Sequence, residues 1–438
     1  MLPDRTVLVR GNRIVAVDSG RGRTVPGAAR VVDGSGKYMI PGLWDMHVHA
    51  ARAGRAPRFW PLFLAHGVTG IRETGSFADS LVYWREAALT SGTLAPRIVW
   101  SSPMLDGDPP LYDFGRAVRT PDEARAVVAE MQALGFDYLK VYNGLPREAF
   151  FALADEAARL GIAIAGEVPD AVSPVEAAEA GMRSFEHLWN HFEGCIPGAY
   201  ALRDSLTQME RREAPDAEFR RVREAQYRLW LTAYDPACAD TLAAHLVRTG
   251  TWQSPTLVVN RSYSFMDSTW VDDPRRRWVP RDILTEWDEL RAELLDQYGP
   301  LGIAAWRTRY RHEADMLRRM AAAGVGILAG SDASDEPFVY PGASLHDELT
   351  LLVAAGLTPL QALQSATLNP ARFLDRDDLG RVAAGMLADL VLLDANPLTD
   401  IRNTTRISGV VSDGRYLDRR RLDELLAEAA RAANTSRD

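Results

Sequence analysis

Met39-Ile40-Pro41-Gly42-Leu43-Trp44-Asp45-Met46-His47-Val48-His49 is an apolar run that ends in two histidines one residue apart. Alternate side chains of a strand share a face, so His47 and His49 point the same way from neighbouring pleats. Two neutral imidazoles on one face form a chelate for a divalent metal. Three later runs repeat the plan. Ile162-Ala163-Ile164-Ala165-Gly166-Glu167 ends in a carboxylate, and Met182-Arg183-Ser184-Phe185-Glu186-His187 in a histidine. Val325-Gly326-Ile327-Leu328-Ala329-Gly330-Ser331-Asp332 ends in an aspartate. Apolar strands followed by polar chemistry at their C-terminal ends predict a (β/α)8 barrel, where groups from several strands meet at one mouth.

A second unusual feature is lysine usage. The chain has 50 basic residues, and only Lys37 and Lys140 are lysines. Lys140 lies in the apolar run Phe136-Asp137-Tyr138-Leu139-Lys140-Val141-Tyr142, where a charged amine is costly. A desolvated lysine amine loses its proton readily, which arginine does not, and it can then capture carbon dioxide as a carbamate. The carbamate is an anionic oxygen ligand for metals. The plainer reading is a lysine that snorkels to solvent or pairs with a carboxylate. Tyr142 shares the face of Lys140 and sits nearer the mouth, where its phenol could polarise a substrate carbonyl, bind a substrate carboxylate, or simply pack.

With these residues in view, the chain resembles the metal-dependent amidohydrolase superfamily, in its imidazolonepropionase-like and prolidase-like branch. Pro41 to His49 looks like the family's first-strand signature, and Gly67-Val68-Thr69-Gly70-Ile71-Arg72-Glu73 like its second strand. Phe185-Glu186-His187-Leu188 and Ala329-Gly330-Ser331-Asp332-Ala333 resemble its sixth- and eighth-strand motifs. Gly385-Met386-Leu387-Ala388-Asp389-Leu390-Val391-Leu392-Leu393-Asp394 is similar to the strand pair that closes its small β domain. The resemblance implies two divalent metals, with zinc expected first and Mn2+ or another metal as the alternative. His47, His49 and Asp332 would hold one, His187 the second, and Lys140, carboxylated by carbon dioxide, would bridge. Asp332 would also carry the catalytic proton.

One position departs from the family. Its fifth strand usually supplies a histidine in a Gly-His-Val-Pro context, and this chain reads Gly166-Glu167-Val168-Pro169. A carboxylate there lowers the formal charge of the binuclear centre from about plus one to roughly zero. That weakens its Lewis acidity and favours harder metals. Glu167 could be a ligand, a general acid or base, or a partner for an arginine. The implied activity is hydrolysis of an amide C–N bond in a small molecule, such as an N-acyl amino acid or a dipeptide. Glu167 opens an alternative with altered chemistry: ester or lactone cleavage, elimination, cyclisation or decarboxylation. A non-catalytic scaffold with a decayed site is a third reading.

Bulk properties fit an enzyme of this kind. The chain has 438 residues and a formal net charge of −9, with no dense basic tract, which argues against nucleic acid as partner. No apolar run is long enough to span a membrane. The expected partner is a small-molecule substrate, with a homo-oligomer open. Cys195 and Cys238 form no metal-spaced or redox pair and read as free thiols in a reducing compartment, hence a cytoplasmic location.

The expected organisation is a small β-sandwich domain from residues 1–39 and 380–418, a barrel over 40–379 and a helical tail over 419–438. Within the barrel, Arg97–Trp100 would be strand three and Pro255–Val259 strand seven. Residues 188–250 and 260–312 exceed a minimal barrel and read as a lid or an oligomer interface. His66 reads as a helix C-terminal residue, His346 as a hydrogen-bonded structural one, and His191, His245 and His312 as surface or lid residues.

Overall fold

The computed structural model describes residues 2–19, 27, 29–52, 56–90, 93–212, 214–268, 270–333 and 336–435. Parts of the expected end segments, 20–26 and 436–438, lie outside the described residues.

Seven parallel strands carry the barrel: Leu43–Val48, Val68–Glu73, a third running as Arg97–Val99 and Ser101–Asp106, Tyr138–Val141, Ala163–Gly166, Ser184–Glu186 and Trp252–Ser254. Each pairs with the next, the third serving two neighbours through its two halves. The eighth staves are irregular residues 325–333, which close the ring by backbone hydrogen bonds. Gln253 N donates to Gly326 O at 2.9 Å and Leu328 N to Gln253 O at 2.8 Å on one side. On the other, Met46 N donates to Ala329 O at 2.8 Å and Asp332 N to His47 O at 2.7 Å. The fold is therefore a (β/α)8 barrel with its ligand-type residues at the C-terminal strand ends.

Local sequence explains how strand one changes its inward load. Its register against strand two slips between Asp45 and Val48, which face Ile71 and Glu73. Three steps on one strand thus oppose two on the other, a bulge that re-aims side chains. Below it Trp44 and Met46 pack with Leu328 and Phe373 in an apolar plug. Above it His47 and His49 take over. Gly70 is required beside Trp44, because a Cβ there would lie 2.2 Å from the indole. The outward residues Leu139, Val141, Ile164 and Phe185 join the main core under the surrounding helices.

The chain ends meet beside the barrel. A hairpin, Thr6–Arg10 with Arg13–Asp18, lies next to an antiparallel sheet ordered Arg415–Asp418, Ile407–Ser412, Leu390–Leu393 and Tyr38–Pro41. Ile14 N donating to Met386 O at 2.9 Å links the two. Tyr38–Pro41 leads straight into barrel strand one, so the small sheet sets where His47 starts. Helix Arg419–Thr435 packs on helix Ala56–Ala65. His66 accepts its expected place, with Nδ1 2.8 Å from Leu62 O, and His346 lies between Thr404 Oγ1 and His66 O, each at 2.9 Å.

Four expectations need correction. Strand seven is Trp252–Ser254, not Pro255–Val259. Thr256 has φ 45°, which turns the chain into helix Leu257–Ser264, so the β-branched run there is helical. Strand three extends to Asp106 rather than ending at Trp100. Of the surface and lid readings of His191, the surface one falls: it is buried in helix Trp189–Gly194, packed against Phe185. Cys195 and Cys238 are not free: they form a disulfide, with Cα atoms 5.4 Å apart. A helix-rich insertion brought them together, which sequence separation could not reveal. The bond removes the thiol argument for a cytoplasmic location, and among the described residues no helix is long and apolar enough to cross a membrane.

The extra residues form one helical layer over the mouth. Helices Trp189–Gly194, Ala199–Arg211 and Asp216–Thr232 follow strand six. Helix Arg281–Ala323, interrupted at Gly299, follows strand seven. Phe192, Ile196, Tyr227, Trp230, Tyr298 and Ala305 from both insertions share one apolar cluster.

Two predictions concern this scaffold. Thiol titration of the denatured, unreduced protein should find no free thiol, and two after reduction. The crosslink closes 43 residues, so reduction should cost up to about 4 kcal/mol of stability in a chain-entropy estimate. The second concerns Glu348, fully buried and pushed up to about 8 by burial, against the Val258 N–H it accepts at 2.8 Å. A carboxyl raised in the folded state favours folding at low pH, and that advantage is lost as pH rises from its ordinary value near 4.5 to about 8. Thermal melts at pH 5 and pH 9 should therefore show wild type losing roughly 2–4 kcal/mol relative to Glu348→Gln.

Candidate metal centre

Three histidines and an aspartate meet at the mouth. His47, His49, His187 and Asp332 are each at most 4% exposed. His47 Nε2 lies 3.3 Å and His49 Nε2 3.2 Å from Asp332 Oδ1, and His187 Nε2 lies 3.6 Å from Asp332 Oδ2. Ligand atoms of His47, His187 and Asp332 all fall within 4.8 Å of one another.

Every imidazole spends its other nitrogen on the protein. His47 Nδ1 is 2.6 Å from Glu186 Oε2, His49 Nδ1 2.9 Å from Gly75 O, and His187 Nδ1 2.6 Å from Thr256 Oγ1. Such partners fix ring orientation and turn Nε2 toward the centre. Burial pushes His187 down to about 3, so its ring is neutral at physiological pH. Burial raises Asp332, but the charge of His47 and the close approach of His47 and His49 outweigh it and hold the carboxyl well below its usual range. A cluster of imidazole lone pairs turned on a carboxylate is repulsive unless a cation lies among them. Buried His47 Nε2 and Asp332 Oδ1 have no hydrogen-bond partner, and neither do Lys140 Nζ and Glu167 Oε2. This donor set fits a divalent metal.

Glu167 lies beside this group, its Oε1 3.6 Å from His187 Nε2. Gly166 places it. Its φ of 138° is open to glycine, and a Cβ there would lie 2.2 Å from Val141 O. Burial pushes Glu167 up to about 7, against the attraction of Lys140 and then Arg203. Lys140 is 1% exposed and acts electrostatically on Glu167, Glu186 and His187. Tyr142 is buried with Met104 and Phe114, its ring edge-on to Tyr112 at 5.7 Å. Burial, then the charge of Glu167, pushes its phenol well up. Of the sequence-predicted residues, His47, His49, Glu167, His187 and Asp332 lie in mutual contact, and Lys140 and Tyr142 interact electrostatically with Glu167.

Sequence reasoning missed what holds them. Arg72, fully buried, donates Nε to Met46 O at 2.6 Å, Nη1 to Ser184 Oγ at 2.8 Å and Nη2 to Glu186 Oε1 at 2.7 Å. Ser331 N donates to Asp45 Oδ1 at 2.8 Å, fixing the approach to Asp332. The available signal was charge inside apolar runs: Asp45, Arg72 and Glu186 all interrupt strands that are otherwise buried. Strain marks the mouth as well. His187, Thr256 and Asp332 all have positive φ, at 55°, 45° and 63°. Non-glycine residues persist there only when the surroundings over-determine them.

The comparisons bear on the fold. The model of the amidohydrolase family matches residues 264–417, which include Asp332 and none of the other candidate ligands. Adenine deaminase 2 of Jannaschia sp. (strain CCS1) is 31% identical over 147 residues, 32% of this chain and 21% of that protein. Imidazolonepropionase of Mycolicibacterium smegmatis is 39% identical over 83 residues, 18% of this chain and 19% of that protein. The matches therefore span about a fifth of the length of these curated relatives. Among solved structures, a bottromycin amidohydrolase superposes with a TM-score of 0.75 at 24% identity, covering 98% of this chain and 86% of that one. A putative prolidase from Bifidobacterium longum gives 0.67 at 24% identity, covering 97% and 93%. These likenesses show the fold over nearly the whole chain.

Glu186→Gln should weaken metal binding roughly 10–100-fold, read by competition with a chromogenic chelator, because His47 loses the acceptor that orients it. Unchanged affinity would remove Glu186 from that role. Residues 264–417 match the amidohydrolase family model, and nearly the whole chain has the fold of the solved amidohydrolase structures it superposes on.

Proposed function

We propose that this chain is a metal-dependent hydrolase that cleaves the amide C–N bond of a small molecule, such as an N-acyl amino acid or a dipeptide. The observation that carries the reading is the convergence of three histidine Nε2 atoms on Asp332 at the barrel mouth. His47, His49 and Asp332 would hold one divalent metal. His187 and Glu167 would hold a second, and Lys140, as a carbamate, would stand between them. Zinc is the first candidate, and the oxygen-rich second position suits Mn2+. Such metals, when bound, supply a Lewis acid and ionise a water near neutral pH.

The chain's own residues do the rest. Asp332 is held anionic, so at Oδ1 it can take a proton and return it to the leaving nitrogen. His187, held neutral by burial, does not compete for that proton. The Tyr142 phenol keeps its proton and is available to donate to a substrate carbonyl or carboxylate. The buried mouth excludes bulk water, which strengthens each of these contacts.

One observation favours a second reading. Glu167 sits near 7 without metal and has an unpartnered oxygen, as suits a general acid or base. In that case the second metal is absent and the chemistry shifts toward ester or lactone cleavage, or toward elimination, cyclisation or decarboxylation. Elemental analysis after purification with bicarbonate separates the two, with two metals per chain expected. Asp332→Asn should lose at least about 100-fold in kcat on a panel of N-acyl amino acids and dipeptides. Full activity in that variant would end its assignment as proton carrier.

A further inference from the structure

The two proposed metal positions are supported by different parts of the molecule. His47 and Asp332 rest on the barrel. Glu186 and Arg72 orient His47 across the barrel interior, and Asp332 is tied by its own N–H to His47 O at 2.7 Å. His49 is held by Gly75 O. No residue of the helical insertions enters that list.

His187 and Glu167 rest on the barrel too, His187 Nδ1 being 2.6 Å from Thr256 Oγ1 and Glu167 N donating to Val141 O at 3.1 Å, but unlike the first pair they are also supported by the insertions. The Trp189 indole stacks on the His187 ring, with centroids 4.3 Å apart and planes 9° apart. Trp189 Nε1 donates to Asn260 Oδ1 at 2.7 Å, on the helix after strand seven. The Arg309 guanidinium lies 5.8 Å from the Trp189 ring and over Trp230 at 4.5 Å and Trp306 at 5.0 Å. One cation thus joins the metal-facing stack to both insertions. On the other side, Asp170, three residues after Glu167, accepts from Arg203 Nε at 2.8 Å and Thr207 Oγ1 at 2.9 Å. Arg203 also reaches Glu193 Oε2 at 3.4 Å, and Gln226 Nε2 donates to Glu193 Oε1 at 2.8 Å.

We propose that docking of the helical layer and occupancy of the second metal position form one linked equilibrium, with Trp189 and Arg203 as the positioning residues. The inference rests on the two-metal reading above. If docking of the layer completes the ligand geometry of His187 and Glu167, metal there stabilises docking by the same factor that docking strengthens metal binding. The first position, built on the barrel alone, escapes this coupling.

The test is Mn2+ titration of the metal-free full chain, with free Mn2+ read by electron paramagnetic resonance. Wild type should bind two Mn2+ per chain. Arg203→Met and Trp189→Leu should keep one at unchanged affinity and weaken the other about 10–100-fold. Arg203→Lys and Trp189→Phe should restore part of the loss. Equal weakening of both metals, or of neither, overturns the inference while leaving the two-metal reading intact. A single Mn2+ on wild type overturns both. A second arm needs no variant. Trypsin cleavage within helices Ala199–Arg211 and Asp216–Thr232 of wild type should slow on the second equivalent of Mn2+ and not on the first. Protection complete at the first equivalent, or none at all, overturns the coupling.

Discussion

The contact on which the mouth depends is the buried relay from Arg72 through Glu186 to His47. Its two links, 2.7 Å and 2.6 Å, cross the barrel interior from strand two to strand six to strand one. Burying such a pair costs several kcal/mol per ion before any return. The cost is offset because Arg72 is saturated by Met46 O, Ser184 Oγ and Glu186 at once. Burial raises Glu186, but Arg72 and His47 overcome it and hold the carboxyl far below its usual range. Removing one member would leave an uncompensated buried charge, a loss of about 3–5 kcal/mol. The same bonds align three strands and fix the His47 tautomer, so stability and ligand geometry are one requirement here.

That coupling explains why so much of the fold was legible. A barrel whose strand ends carry chemistry must show apolar runs that stop at His, Glu or Asp, and 39–49, 162–167, 182–187 and 325–332 all do. Lys140 was legible through scarcity, since arginine had replaced nearly every other lysine. The partners of these groups were less visible. Arg72 and Glu186 are separated by 114 positions, and only closure of the barrel brings them together. Strand seven was misread because Thr256-Leu257-Val258-Val259 has β-branched character, while the positive φ at Thr256 starts a helix. The disulfide was misread because its two cysteines meet only through the fold of an insertion.

The insertions also give the site its asymmetry. A barrel positions side chains well when they leave a long strand paired on both sides, and His47 and His49 lie at the end of such a strand, at and past the bulge between Asp45 and Val48. His187 and Glu167 instead follow short strands of three and four residues, at positions where the backbone turns sharply. Such termini need outside support, and the aromatic stack and the Arg203–Asp170 bond supply it. Arginine suits both tasks, since its planar cation stacks on indole faces and forks between carboxylates without losing its charge.

Glu167 feels both the barrel and the insertions, through Lys140 and Arg203. With Lys140 as an ammonium, the carboxylate is attracted first by Lys140 and then by Arg203. Conversion of Lys140 to a carbamate replaces one attraction with a repulsion. The anionic form of Glu167 then depends on Arg203 and on a cation between it and His187. A histidine at the same place would need neither, since a neutral imidazole is not repelled by the carbamate. Glu167 and the half-buried Arg203 in the layer above it, itself paired with Asp170 and Glu193, therefore belong to one charge network that joins the mouth to an insertion.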